Sequence, residues 1–165
     1  MKSRDARILD LISTYLSDGP SSKLYKKMVD KNKSALEVQA LNIAHEDYSM
    51  YAILSLPLGK TSLEKLTQEI EEEITKVQEN LISENDYEKL QNKFENQFVN
   101  SNSSVEGIAV SLGEYFTLYG DANLINSEID IYRSITREEI RDVAKKYLNK
   151  NQRLVLEYLP ENEKN

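Results

Sequence analysis

The residues able to do chemistry are few and scattered. Ser21, Ser22 and Lys23 stand together just after Gly19-Pro20, and a hydroxyl beside an amine can form an activated nucleophile. Hydroxyls at a helix start serve more often as caps, and no set of nucleophile, base and orienting group accompanies these. His45, Glu46 and Asp47 could hold a surface metal. The chain has one histidine, so a solvated loop is the simpler reading. Glu69, Glu71, Glu72 and Glu73 offer hard carboxylate ligands suited to calcium, but they are spread around a helix rather than gathered in a ligand loop. They read as a solvated face. Tyr115, Phe116 and Tyr119 could line a groove, and at helical spacing they read as core. With no cysteine and one histidine, disulfides, cysteine catalysis and a zinc site of three nitrogen or sulfur ligands are excluded. The expectation is a chain with no catalytic, cofactor-binding or metal-binding residue of its own.

Composition bounds what can carry these residues. The 165 residues are 39% hydrophobic and 30% charged, enough for one domain with one core. That domain is expected over residues 1–160, with 161–165 as a charged tail. The net charge of −7 and the lack of a dense Lys/Arg cluster argue against nucleic-acid binding. Lys23, Lys26, Lys27, Lys31 and Lys33 form a local basic patch that reads as a solvated helix face. No apolar run is long enough for a membrane span, and no signal peptide is visible at Met1.

Hydrophobic periodicity supplies the elements. Ile8, Leu11, Ile12, Tyr15 and Leu16 share one helix face. Gly19 and Pro20 end that helix. Ser21 or Ser22 then caps a second, with Leu24, Tyr25 and Met28 inward. Leu36, Val38 and Ala40 alternate as a half-buried strand. The phase slips to Leu41 and Ile43, which suggests a bulge at Ala40-Leu41. Residues 49–58 alternate again, with Ala52, Leu54 and Leu56 on one side, so the two runs read as an antiparallel hairpin. Thr61 with Glu64, Ser83 with Asp86 and Thr136 with Glu139 have the capping-box form. They open helices with inner residues Leu63, Leu66, Ile70, Ile74, Val77 and Leu81; Tyr87, Leu90, Phe94 and Phe98; and Ile140, Val143, Ala144, Tyr147 and Leu148. A helix from Val105 to Tyr119 stops at Gly120-Asp121, and a short helical stretch around Leu124 to Tyr132 follows. Arg153 to Leu159 alternates as a last strand. Runs of strands and runs of helices imply an α+β fold, a mostly antiparallel sheet with helices packed on one face. Three strands are few for so many helices, so N-terminal strands preceding residue 1 are expected to be missing.

The wording of several segments adds to this pattern. An apolar helix ending in Leu16-Ser17-Asp18-Gly19, followed by Pro20-Ser21-Ser22-Lys23-Leu24-Tyr25 and Met28-Val29, resembles the opening of the C-terminal half of the insulinase/pitrilysin-type zinc peptidases, closest to their processing-peptidase branch. Lys23 stands where that branch commonly has Arg. Ile82-Ser83-Glu84-Asn85-Asp86, Gly120-Asp121, Ile135-Thr136-Arg137-Glu138-Glu139-Ile140 and Val155 to Pro160 are similar to later phrases of the family, in the same order, across nearly the whole chain.

The resemblance implies a metallopeptidase-half domain that helps to form a chamber rather than a catalyst. Zinc is expected in the His-x-x-Glu-His domain of a parent protein, and that motif is absent here. The implied partners are an N-terminal zinc-bearing domain or a partner chain, and a peptide or protein substrate. Some relatives hold substrate with an Arg and a Tyr near the first hairpin strand; the equivalent positions here are Asp30 and Glu37, whose carboxylates cannot stabilise an oxyanion. The alternative is a free-standing protein-interaction module with no proteolytic role, its apolar surface exposed where a partner would sit.

Overall fold

The computed structural model describes residues 4–44 and 48–159. The first helix, α1 (Arg4–Ser17), is the pillar of the packing. Ile8, Leu11, Ile12 and Leu16 are at most 2% exposed. Burying each such side chain contributes about 1.5–3 kcal/mol, so this stripe dominates the core. Gly19 takes the left-handed conformation, φ 84°, and the chain reverses.

The second helical segment differs from expectation at its start and in its form. Ser22 stands at its start, but its side chain gives no cap bond to the helix. Its hydroxyl turns back to Gly19 O at 2.7 Å, while its own carbonyl accepts the first helical bond, from Lys26 N–H at 3.1 Å. From Tyr25 to Lys31 the helix is π-helical. The Asn32 N–H reaches back five residues to Lys27 O at 2.9 Å, the mark of the wider helix. Leu24 and Met28 are fully buried.

Strands β1 (Ala35–Ala44) and β2 (Ser49–Pro57) pair antiparallel, with Ala40 opposite Ile53 and Leu41 opposite Ala52. The register shift lies between Ala35 and Glu37, not at Ala40-Leu41. The strand is apolar at both parities because both faces are apolar, which a single sequence read for one buried face mistakes for a slip. Val38 and Ala40 are buried on the side where α1 packs. Ser17 holds the β1 backbone there: its hydroxyl accepts from Ala40 N–H at 2.7 Å and lies 3.3 Å from Ala40 O. Among the described residues the sheet has these two strands.

The expected third strand, Arg153 to Leu159, does not form. Leu154, Leu156 and Tyr158 are 79%, 66% and 87% exposed. Alternation and β-prone residues specify an extended segment, but a strand also needs a neighbour for its N–H and C=O groups, and no described segment supplies one.

The remaining helices are α2 (Leu63–Glu79), α3 (Glu84–Ser101), α4 (Val105–Tyr119), α5 (Glu128–Arg133) and α6 (Arg137–Tyr147), with 3-10 turns at Ala122–Ser127 and Lys150–Gln152. Ser62, rather than Thr61, caps α2 by accepting from Lys65 N–H at 3.3 Å; Thr61 donates instead to Leu58 O at 2.9 Å. Ser83 caps α3, and Thr136 and Glu139 form the full capping box of α6. Helix α6 packs against α1 and α2, and α3 against α1 and α5. Helix α4 leans mainly on the 3-10 turn that follows it, and none of its residues is buried. The result is an α+β architecture of helices and one antiparallel hairpin.

Candidate interaction surface

The charged groups are used internally. Arg7 from α1 donates from Nε and Nη2 to the two Glu128 oxygens at 2.7 and 2.8 Å, and both side chains are nearly buried. The Glu128 bond holds the Arg7 guanidinium above its ordinary pKa. Next to it, Asn42 donates to Asp10 at 2.8 Å and to Ala6 O at 3.1 Å, and the Tyr132 hydroxyl donates to Asp10 at 3.3 Å. Burial and the nearby carboxylates push the Tyr132 phenol up. This network ties α1 to β1 and α5, and sequence reading missed it because its members lie far apart in the chain.

The acidic run of α2 is not the solvated face expected. Glu69 and Glu73 are 6% and 7% exposed. Glu69 accepts from Asn32 at 2.8 Å and from the Ser34 hydroxyl, pinning the loop before β1. Lys27 lies between Glu72 at 2.6 Å and Glu73 at 3.2 Å. Burial works against the Lys27 charge, but its bonds to Glu72 and Glu73 outweigh that and raise its pKa. Glu71 pairs with Lys150 and Arg153, each at 2.7 Å. The reason is geometric: one side of α2, with Glu69, Glu72 and Glu73, meets the π-helix and the loop after it, and the other, with Glu71, meets Lys150 and Arg153, which bring the opposite charges.

Lys23 pairs with Asp86 at 2.8 Å, while Ser22 bonds to Gly19, so no Ser-Lys couple forms. The basic patch is therefore partly consumed in ion pairs. Asp30 and Glu37 are exposed. His45, Glu46 and Asp47 lie outside the described residues. Among the described residues, no group of three or more His, Cys, Asp or Glu is placed to hold a metal. The core reading of the α4 aromatics fails at Phe116, which is 66% exposed. Tyr115 and Tyr119 are half-buried, their rings 5.5 Å apart.

What the fold does present is apolar surface. On the sheet face away from α1, Met50, Leu54 and Leu56 are 54%, 57% and 54% exposed; Leu41 and Ile43 fall on the same side by register. Further exposed apolar residues lie on the segment Arg153 to Leu159 and on the outer side of α4. Clustered apolar exposure of this kind marks a contact surface. The sequence signal was available in the apolar residues at both parities of the hairpin. Among the described residues no helix is long and apolar enough to cross a membrane.

Residues 1–94 match the family model of the peptidase M16 inactive domain. A protease from Helicobacter pylori superposes with TM-score 0.84 at 22% identity, covering 92% of this chain and 36% of that one. The inactive peptidase domain of a candidate zinc protease from Bordetella parapertussis gives TM-score 0.83 at 23% identity, covering 96% of this chain and 84% of that one. The periplasmic protease PqqL from Escherichia coli gives 0.72 at 16% identity, covering 90% of this chain and 16% of that one. At these identities the likeness is one of fold. The chain thus spans about a third of the Helicobacter protease it matches. No curated protein matches the sequence.

Proposed function

The chain belongs to the peptidase M16 inactive-domain family, and on that premise we propose that it is the non-catalytic C-terminal domain of a zinc metallopeptidase. Its role is to close a peptide-binding chamber against a zinc-bearing domain, in the same polypeptide or a partner chain, and to help hold the substrate. The observation that carries this reading is the hairpin with α1 on one face and an exposed apolar surface on the other. A partner domain would cover that surface, and an extended peptide could add a strand at a free edge. Zinc chemistry would belong wholly to the other half, since one histidine and no cysteine cannot supply a usual catalytic zinc site.

The test is zinc content and chelator-sensitive peptide cleavage, measured on this chain and on the full-length product of its gene. Zinc and cleavage are expected only in a longer product. There, Leu54→Asp on the open sheet face should leave zinc bound and cut cleavage by about tenfold or more, the effect of losing about 1.4 kcal/mol or more of packing across that face. A metal-free, inactive full-length product would instead favour the free-standing interaction module. Cleavage by the 165-residue chain alone would sink both readings.

A further inference from the structure

A cavity of about 240 Å³ lies between α1, α3 and α5. Small-ligand sites commonly span about 300–1,000 Å³, so this one has the size of a single long side chain. Leu90, Phe94 and Tyr132 give it apolar walls, and Thr14 and Gln97 add a hydroxyl and a carboxamide. Among the described residues, Asp10 is the one charged side chain in its lining.

Asp10 is open to solvent, so a ligand can reach its carboxylate. The group is held in place by neutral donors: Asn42 Nδ2 bonds one oxygen at 2.8 Å and the Tyr132 hydroxyl the other at 3.3 Å. Each oxygen can still accept a further bond. The cations on the turns around the cavity are committed elsewhere, Arg7 to Glu128, Lys93 to Asp18 and Arg133 to Glu95. Protein crowds Asp10 on most sides all the same, and that loss of hydration pushes its carboxyl above the ordinary value, against the two hydrogen bonds. A carboxylate that has lost water and gained no counter-charge is unfavourable, and an incoming cation offsets that cost.

We propose that this cavity binds an organic cation of side-chain size, an alkylammonium or guanidinium, with its charge on Asp10 and its apolar stem against Leu90, Phe94 and Tyr132. The rings of Phe94 and Tyr132 are stacked at 12°, and an aromatic face attracts a cation. An anion would meet Asp10 with no compensating charge. A neutral apolar group would leave the carboxylate without a counter-charge. A divalent metal needs more oxygen ligands than one carboxylate brings. The cation can come from a free amine or from a lysine or arginine side chain of a peptide. Binding here is independent of the proteolytic reading, since nothing in the site depends on a zinc-bearing domain.

The experiment titrates the isotope-labelled 165-residue chain with n-butylammonium and follows NMR shifts. 1-Butanol and butanoate serve as the neutral and anionic comparisons, and acetyl-glycyl-lysyl-glycinamide as the peptide arm. Saturable shifts are expected at Asp10, Thr14, Phe94 and Gln97 with the two cations, and none with butanol or butanoate. Tighter binding of the peptide than of n-butylammonium would support the proposal with a peptide side chain as the source; equal or weaker binding would support it with a free amine. Asp10→Asn keeps an acceptor for Asn42 and should lower affinity about tenfold or more, the loss of a bond to a charged group. Thr14→Lys sets an ammonium one turn along α1 from Asp10, where the two pair on the helix surface, and should abolish binding; it decides the matter if the Asn variant does not fold. No saturation, butanol binding as tightly as n-butylammonium, or unchanged affinity in either folded variant would overturn the proposal.

Discussion

At the scale of single residues, buried charge and close backbone approach dominate. The Arg7–Glu128 pair is nearly enclosed, so removing one partner strands the other in a low-dielectric setting. Arg7→Met should cost about 3–5 kcal/mol in urea unfolding. The double variant Arg7→Met with Glu128→Leu should recover most of that loss; equal destabilisation of single and double variants would contradict the account. Gly107 makes a second residue-scale case. A methyl group added there would sit 2.0 Å from Ser101 O, a contact that backbone must relieve. Gly→Ala inside a helix ordinarily gains about 0.5–1 kcal/mol. Here the sign should invert, with Gly107→Ala losing about 1–3 kcal/mol, as overpacked sites do.

At the scale of elements, helix ends were the most legible features of the sequence and strand partnerships the least. The capping box at Thr136–Glu139 forms in full, and Gly120 ends α4 in the left-handed conformation at φ 74°. Both depend on groups within one turn of the chain, which local sequence contains. Thr136→Ala should cost about 1 kcal/mol. Glu139 also accepts from Arg4 of α1 at 2.6 and 2.8 Å. That bond, with the Thr136 backbone N–H, holds its carboxyl down at about 2 from an ordinary 4.5. A carboxyl depressed in the folded state adds stability above its unfolded pKa and loses it as pH falls toward the folded one. The urea midpoint should therefore decline between about pH 4.5 and 2, and Glu139→Gln should flatten that acid limb. An unchanged acid limb would show that the pair contributes nothing to folding. The segment from Arg153 to Leu159 shows the opposite case: its alternation is as regular as that of β2, yet no ladder forms, because pairing depends on a neighbour the segment does not encode.

At the scale of the whole molecule, the question is which surface is finished. The sheet face bearing Met50, Leu54 and Leu56 is open, and α4 buries none of its residues. Substituting Leu54→Ser with Leu56→Ser should change the stability of this chain by less than about 0.5 kcal/mol, as for exposed sites, while lowering the binding of an apolar dye. A large stability loss would mean that this face is covered within the chain itself. By itself, the sequence determined the buried stripe of α1 and most of those of α2 and α6 (Leu81 and Tyr147, read as inner, are 38% and 40% exposed), the hairpin, the helix stops, the lack of a cysteine or three-ligand zinc site, and the family resemblance. Each of these depends on residue identity or on spacing within a few turns. Only the tertiary structure decided that Glu69 and Glu73 are anchors rather than solvated charges, that Phe116 faces outward, and that both faces of the hairpin are apolar with one left open. Those outcomes depend on which distant segments meet, and an amphipathic pattern states which side chains are apolar without stating what will cover them.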